Sequence, residues 1–180
     1  MTKNTISFKR SKGFTLVEMV PVMLVVGIMA VVTGPQIVSS LQSFKLNAAA
    51  GQMLADVRYA RELALSRHAT YGIEINQAGN YYQIFSLSGN TKTVLTDPLT
   101  RKPMTVDFDL LPEYSGVTFG TVDFCQSGGC AAVDLRFDSF GVPADSAGST
   151  MASSATAQIS AGGTTRTLTI NEQTAFSEIV

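Results

Sequence analysis

An uncharged apolar run near the N-terminus places the strongest constraint on how this chain can fold. No Asp, Glu, Lys or Arg occurs from Met19 to Phe44, a stretch of 26 residues. As a helix this stretch would be roughly 39 Å long, and about 20 apolar residues are enough to cross the hydrocarbon core of a bilayer. The sequence therefore predicts a helix that spans a membrane, followed by a separate domain.

The charges on either side of this run differ in sign. Four of the 13 Lys and Arg residues, but none of the 14 Asp and Glu residues, lie in residues 1–13. Because positive flanks stay on the cytoplasmic side of a membrane, we expect a cytoplasmic N-terminus and an exported remainder. Residues 14–180 carry a net charge of −5, which disfavours a general attraction to nucleic acid.

Beyond the run the pattern becomes amphipathic, and residues 14–69 read mostly as helix. Gly34 and Pro35 interrupt it, and because proline removes a helical hydrogen bond we expect a kink or local melting there. His68 falls on the apolar stripe, which predicts a packed or hydrogen-bonded core histidine. The other members of the stripe recur mostly at steps of three or four: Leu46, Ala50, Met53, Leu54, Val57, Ala60, Ala64 and Leu65.

From Tyr71 the period changes to two, which predicts strands. The segments Tyr71–Asn76 and Tyr81–Leu87 flank a Gln-Ala-Gly-Asn turn and predict a β-hairpin. We expect an α+β fold, in which a long N-terminal helix packs on an antiparallel β-sheet head. Loops are predicted at 95–103 and 138–154. Further strands are predicted at Met104–Asp109, Val117–Phe119, Val133–Phe137, Thr156–Ser160 and Thr165–Ile170.

The two cysteines, Cys125 and Cys130, lie close together in a glycine-containing segment. In an exported domain such a pair is typical of a disulfide, and the glycines let the Cα atoms approach to bridging distance. A reduced pair or half of a metal site are the alternatives. A metal site needs more ligands, and the one histidine, His68, is distant in the sequence.

The N-terminal features follow one another in a known order. A short basic leader precedes Gly13, then Phe14-Thr15-Leu16-Val17-Glu18, then the apolar run to Gly34-Pro35. This order resembles the class III signal of type IV pilins and pseudopilins. An ordinary secretory signal is the competing interpretation, but its apolar core is usually about 7–15 residues long and ends at a small-residue cleavage site.

The resemblance implies processing and a division of the chain. A prepilin peptidase would cut between Gly13 and Phe14, and the new amine of Phe14 would then be methylated. The parts would be a cleaved leader (1–13), a transmembrane and filament-core helix (14–42), the amphipathic half of the helix (43–69) and a β-rich globular head (70–180).

Three further segments resemble the GspH/FimT group of minor pseudopilins and minor pilins. The resemblance implies a minor subunit, without enzyme activity or cofactor, that primes or caps a type IV pilus or a type II secretion pseudopilus. Its partners would be other major and minor pilins or pseudopilins, the prepilin peptidase and the bacterial inner membrane, with the head in the periplasm. The matching residues are Ala60, Arg61 and Ala64 in the helix, Phe137, Asp138 and Gly141 after a strand, and Arg166, Leu168, Ile170 and Asn171 near the end.

Glu18 is a carboxylate at the edge of the apolar run, where a lone charge is costly. It lies four residues, or about 6 Å of helical rise, from Phe14. Cleavage would create a cationic amine at Phe14, and in a staggered bundle that amine could meet Glu18 of a neighbouring subunit. The alternative is that Glu18 only snorkels to the interface.

Other functions have weaker support. Neither a nucleophile motif nor a phosphate loop is found in the sequence. Calcium could bind Asp107, Asp109 and Asp123, although solvated strand carboxylates are the simpler interpretation.

DNA capture is the remaining alternative. Some FimT-type minor pilins bind DNA through a Gly-Arg-x-Arg pattern near the C-terminus, and here only Arg166 is present. Arg101 and Lys102, with Lys92, could strengthen such a site only if their loops converge. Because phosphate contacts add up charge by charge, DNA binding is not expected.

Valine in place of Gly13 tests the class III signal. The larger side chain should obstruct the close approach of the peptidase and leave an uncut precursor. Since 180 residues weigh 19.1 kDa, the 13-residue leader should add about 1.4 kDa on a gel. A product of normal size, or a mature N-terminus elsewhere than Phe14, would contradict the class III interpretation.

Overall fold

The chain divides into two compact units, Met1–Val38 and Ser39–Val180. The long helix α1 (Leu16–Arg67) begins in the first unit and ends in the second. Its second half and the strands that follow make up the larger unit. The structure is a computed structural model and describes residues 14–124, 133–146, 148–151, 153–172 and 177–180.

The helix confirms the main expectation for the N-terminal half of the chain. Its observed bounds lie two residues inside the predicted 14–69 at each end. The helical backbone continues through Gly34 and Pro35, so the local melting considered from the sequence does not occur. A kink at these two residues stays a prediction.

The strands of the described residues form two antiparallel sheets. The first sheet has the order β3-β2-β1-β6-β7, with β4 also paired to β2, and the second has the order β10-β9-β8-β5. The α+β class is confirmed, with the expected sheet divided into two. The strands are β1 (Thr70–Asn76), β2 (Tyr81–Ser88), β3 (Thr91–Val94), β4 (Thr105–Asp107), β5 (Thr118–Asp123), β6 (Asp134–Phe137), β7 (Pro143–Ala144), β8 (Ala155–Ala161), β9 (Thr164–Ile170) and β10 (Ser177–Ile179).

Three of these strands, β3, β7 and β10, were not predicted. Each has two to four residues, which is too short for an alternating pattern to be recognised. In contrast, β4 is shorter than the predicted Met104–Asp109. It ends at Asp107 because the Asp107 carboxylate accepts the backbone N–H groups of Asp109 at 2.9 Å and Leu110 at 3.1 Å, which closes a turn.

One face of the second half of α1 packs against both sheets. Four of its seven buried apolar residues are alanines. Sheet residues such as Ile73, Leu135, Ile159 and Leu168 complete the same core. The buried helix residues are Leu46, Ala49, Ala50, Met53, Val57, Ala60 and Ala64.

His68 does not extend this stripe, and its prediction as a core histidine was wrong. The helix ends at Arg67, and His68 follows it with a φ of 49° and an exposed side chain. The backbone N–H of Ala69 then donates to the carbonyl of Ala64. A left-handed residue after the last helical turn is a common helix end, and it takes the side chain away from the direction that the helical period predicts.

Asn80 joins the two sheets. It ends the turn between β1 and β2 with a φ of 52°, and it is buried. Its amide nitrogen donates to Asp109 at 2.7 Å and to the carbonyl of Val117 at 2.9 Å, while its amide oxygen accepts the N–H of Phe119 at 3.2 Å. The predicted hairpin turn therefore also anchors the start of β5.

The outer face of the first sheet buries one aromatic ring. Phe85 is fully buried but lies outside the main core, because it points to the side opposite Ile84. Its ring lies over Gly72 on β1, and Lys92 covers it with Nζ 5.1 Å from the ring centroid. The same Nζ contacts Glu74 at 2.7 Å and Asp134 at 3.2 Å, so an ion network closes over the ring.

Asp56 is a buried carboxylate on the helix face that contacts β2. It accepts hydrogen bonds from the Tyr82 hydroxyl at 2.6 Å and from the Gln52 amide at 3.2 Å, and no cation of the described residues pairs with it. Burial raises the pKa of Asp56 above its ordinary value, even though both hydrogen bonds act to lower it. Burial and the neighbouring carboxylate also raise the pKa of Tyr82.

Alanine in place of Gly72 should destabilise the head by about 1–3 kcal/mol, as overpacking does. The added Cβ would lie 2.8 Å from Phe85 Cζ and closer still to the carbonyl oxygen of Leu135. The matched control is Gly51→Ala, where a Cβ meets nothing within 4 Å and the helix gains up to about 1 kcal/mol. Denaturant unfolding of the detergent-solubilised chain measures both, and equal effects would contradict the packing of Phe85 on Gly72.

Asparagine in place of Asp56 should flatten the pH dependence of stability. Because the folded state holds the Asp56 proton more tightly than the unfolded state, this group stabilises most at acidic pH. Its contribution falls as the pH rises through the raised pKa. Asp56→Asn keeps an acceptor for Tyr82 without the charge, so unfolding free energies measured between about pH 4 and pH 7 should fall less than in the unmodified chain. Parallel pH profiles for the two proteins would refute this assignment.

Candidate functional site

The helix α1 begins with a capping box made by Thr15 and Glu18. The Glu18 carboxylate accepts from both the backbone N–H and the hydroxyl of Thr15 at 3.4 Å, and the Thr15 hydroxyl accepts the N–H of Glu18 at 3.3 Å. Thr-x-x-Glu before an apolar run is a known signature of this cap. In the single chain, Glu18 therefore stabilises the start of its own helix, whose capping residue Thr15 directly follows Phe14.

The first half of α1 presents apolar side chains that no described part of the chain covers. An 18-residue window of the helix is long and apolar enough to cross a membrane, and none of that window is buried. Such a surface is unfavourable in water and needs either lipid or other apolar helices around it. Its exposed large residues include Phe14, Leu16, Val17, Val20, Val22, Met23, Leu24, Val25, Val26, Ile28, Met29 and Val31.

Two of the segments that carry the resemblance contact each other. Arg61 of the helix donates from Nε to the carbonyl of Gly141 at 3.2 Å. Asp138 shapes this turn, since its carboxylate accepts the N–H groups of Phe140 and Val142 at 2.9 Å. Gly141 has a φ of 72°, and a Cβ there would collide with Leu65. Only glycine satisfies both conditions, so this turn is shaped to fit against the helix.

Other basic residues beside the buried stripe also attach the head to the helix. Arg58 donates to the carbonyl of Ser177 at 2.9 Å and to its hydroxyl at 3.3 Å. Lys45 donates to the hydroxyl of Ser115 at 2.5 Å. These acceptors are distant in the chain from the basic residues, and no local sequence pattern indicates them.

Arg166 points toward the helix. Along β9, Arg166, Leu168 and Ile170 occupy every second position, so their side chains share one face of the strand. Leu168 and Ile170 are buried in the core, which makes this the inner face. The Nε of Arg166 donates to Asn47 of α1 at 3.1 Å. Arg166 is thus partly buried beside the helix.

The contacts of the other basic residues considered for DNA binding do not strengthen a phosphate-binding site at Arg166. Lys92 is engaged by the carboxylates over Phe85. Arg101 and Lys102 are exposed on the loop before β4, and Lys102 lines a cleft of about 250 Å³ together with Asp56 and Asp97. Nearby carboxylates reduce the attraction of such cations for phosphate, so no basic patch is formed by these contacts.

The calcium alternative also loses support. Asp107 ends β4 and closes the turn, whereas Asp109 lies beyond the strand and accepts from Asn80. The two do not share a strand face as the alternating pattern predicted. Among the described residues no three His, Cys, Asp or Glu side chains are grouped so that they could hold a metal ion.

Some predicted site residues lie outside the described residues. These are Gly13, before the predicted cleavage point, and the cysteines Cys125 and Cys130. Cleavage at Gly13, methylation of Phe14 and the disulfide stay predictions.

Comparison with known proteins supports the interpretation of the N-terminal segment. A family model, the prokaryotic N-terminal methylation motif, matches residues 8–34. A search of curated protein sequences finds no match.

Two kinds of solved structure have a similar fold. One is the minor pseudopilin EpsH from the type 2 secretion system of Vibrio cholerae, with a TM-score of 0.54 and 11% identity over 76% of this chain and 96% of that chain. Another is the type IV minor pilin FimU of Pseudomonas aeruginosa, with a TM-score of 0.50 and 19% identity over 75% of this chain and 87% of that chain. The chain therefore combines an N-terminal methylation motif of the prepilin type with the fold of minor pilins and minor pseudopilins.

Proposed function

We propose that this chain is a minor pilin or pseudopilin, a structural subunit that primes or caps a type IV pilus or a type II secretion pseudopilus. The observation that carries the proposal is the uncovered apolar half of α1, which starts at the methylation motif and continues into a folded head. Both structural neighbours are named as pilin-type subunits and not as enzymes, which supports a structural role.

The apolar half of α1 would have two successive environments. Before assembly, the lipid of the bacterial inner membrane would cover it, with the N-terminus in the cytoplasm and the head in the periplasm. After assembly, the apolar helices of other subunits would replace the lipid. The free energy of burial is similar in both environments because lipid chains and leucine-rich helices are equally apolar, so polar contacts would decide whether the subunit stays in the filament.

Glu18 would supply such a contact by exchanging partners. In the single chain its carboxylate is held by Thr15 over distances of 3.4 Å, which are long for hydrogen bonds. The cationic amine that cleavage creates at Phe14 of a neighbouring subunit would be a stronger donor than the neutral groups of Thr15, because it adds the attraction between opposite charges, which is large in a medium of low dielectric. Pairing would thus stabilise the assembly only when two subunits are staggered so that the Phe14 amine of one lies beside Glu18 of the other.

The head would be carried rigidly by the second half of the helix. Arg58 and Arg61 donate to backbone carbonyls of the head, at Ser177 and Gly141. A force applied to the helix during assembly would therefore reach the head through several contacts at once.

The genes next to the coding sequence would distinguish a pilus from a secretion system.

DNA capture is not proposed as a second function. Phosphate contacts add up charge by charge, and Arg166 is the one arginine present of the Gly-Arg-x-Arg pattern. Lys102, on the loop before β4, lies beside Asp56 and Asp97 in a cleft. Binding of duplex DNA that weakens steeply with salt and is lost in Arg166→Ala would contradict this conclusion.

Glutamine in place of Glu18 tests the exchange of partners. Glutamine can still close a capping box but has no charge, so insertion and cleavage should stay normal while cross-linking to partner pilins falls roughly tenfold. Lysine at this position should be worse, since it would place two cations together in a medium of low dielectric.

Thr15→Ala is the matched control, because it removes the cap within the chain and leaves the Glu18 carboxylate in place. It should assemble better than Glu18→Gln. If Glu18→Gln assembles normally, or if both variants fail to the same degree, Glu18 acts only on its own helix and the proposed pairing is wrong.

A further inference from the structure

A groove of about 220 Å³ lies on α1 immediately after the apolar half. It is lined by Ser40, Ser43, Phe44 and Asn47. Phe44 is 71% exposed and supplies an apolar wall, while the other three residues supply hydroxyl and amide groups. A mixed lining of this kind suits the zone of a bilayer where acyl chains meet polar headgroups.

Arg166 stands at the edge of this groove. Its Nε is fixed by Asn47 at 3.1 Å, and its two terminal nitrogens have no hydrogen-bond acceptor or carboxylate partner among the described residues. The guanidinium group is therefore held in place by one donor while the others remain available. A planar array of fixed donors matches the oxygen atoms of a phosphate group.

Lys45 adds a second positive charge at the same level but on the other side of the helix, since helical residues two apart point about 200° away from each other. Its Nζ contacts the hydroxyl of Ser115, and no carboxylate of the described residues forms an ion pair with it. Glu113 is the acidic residue on the neighbouring loop, and it is exposed. The hydroxyl contact positions the ammonium group without neutralising it, so the cation can still attract an anion.

The position of Lys45 and Asn47 directly after the apolar run indicates which anion the cations at this point of the helix would contact. The uncharged run from Met19 to Phe44 is 26 residues long, or roughly 39 Å as a helix, and a bilayer with its headgroups is about 40–45 Å thick. Lys45 and Asn47 follow that run directly. They would therefore lie among the headgroups on the far side of the membrane.

We propose that Arg166 and Lys45 bind the phosphate groups of anionic phospholipids at the base of the head, with Phe44 of the groove against the acyl chains. The site would hold the head against the membrane surface before assembly and would be vacated when the subunit leaves the membrane. This inference rests on the membrane anchoring in the proposed function. Lipid is favoured over DNA because the cations lie beside the end of the apolar run, where a duplex would have to compete with the bilayer.

Fluorescence resonance energy transfer between the head of the full chain and labelled lipid in vesicles tests the proposed lipid site. A fluorescent amino acid would replace Thr164, which is exposed and two residues before Arg166, and the acceptor would be a lipid labelled on its headgroup. Transfer should be greater in vesicles of phosphatidylcholine mixed with phosphatidylglycerol than in phosphatidylcholine alone. The difference should shrink as salt is added.

Arg166→Gln should lower the ratio of membrane-bound to free heads roughly fivefold, and Lys45→Gln should lower it less. Glutamine at 166 can still donate to Asn47, and Arg166→Lys should restore part of the effect, so loss of folding is separated from loss of charge. The control Arg101→Gln should have no effect, since that cation lies on the loop before β4.

Equal transfer in both kinds of vesicle, or no change in Arg166→Gln, would overturn the lipid site. Arg166-dependent binding of duplex DNA by the detergent-solubilised chain would also overturn it, in favour of a nucleic-acid contact.

Flotation of the chain with vesicles in a density gradient measures membrane anchoring separately. A chain that does not float with the vesicles would refute the membrane anchoring, and with it the site.

Discussion

The packing of an alanine-rich helix face against two sheets is the contact on which the rest of the head depends. Ala49, Ala50, Ala60 and Ala64 are almost completely buried, and residues of both sheets belong to the same core. Each sheet exposes an apolar face that it cannot cover alone, and the helix covers both. A larger side chain at any of these positions would push one sheet away and open the shared core.

Polar contacts then fix the position of the head on that face. Asp56 accepts from Tyr82 in the first sheet, Arg58 donates to Ser177 in the second, and Arg61 donates to the turn after β6. Because these contacts reach different strands, sliding along the helix would break several of them together. The apolar contacts provide most of the stabilisation, while the polar ones determine a single register.

Local patterns in the sequence were sufficient for the helix, its amphipathic half and seven of the strands. They failed where the backbone leaves the regular period or where the partner is distant in the chain. His68 had the spacing of a core residue, but its left-handed backbone places it in solvent. The Gln-Ala-Gly-Asn turn was recognisable as a turn, yet nothing near Asn80 indicates its bonds to Val117 and Phe119. Of the candidate site, the apolar run and Glu18 were found from the sequence, whereas the contact between Arg166 and Asn47 needed the fold.

The acceptors that the helix arginines use in the head are largely backbone atoms. Arg58 and Arg61 bind the carbonyls of Ser177 and Gly141, and a carbonyl is present whatever side chain a residue carries. Loops between these points could therefore exchange residues, lengthen or acquire new surfaces without loosening the head from its helix. Such an arrangement allows the exposed parts of the molecule to change quickly in evolution while the helix and its inner contacts change slowly.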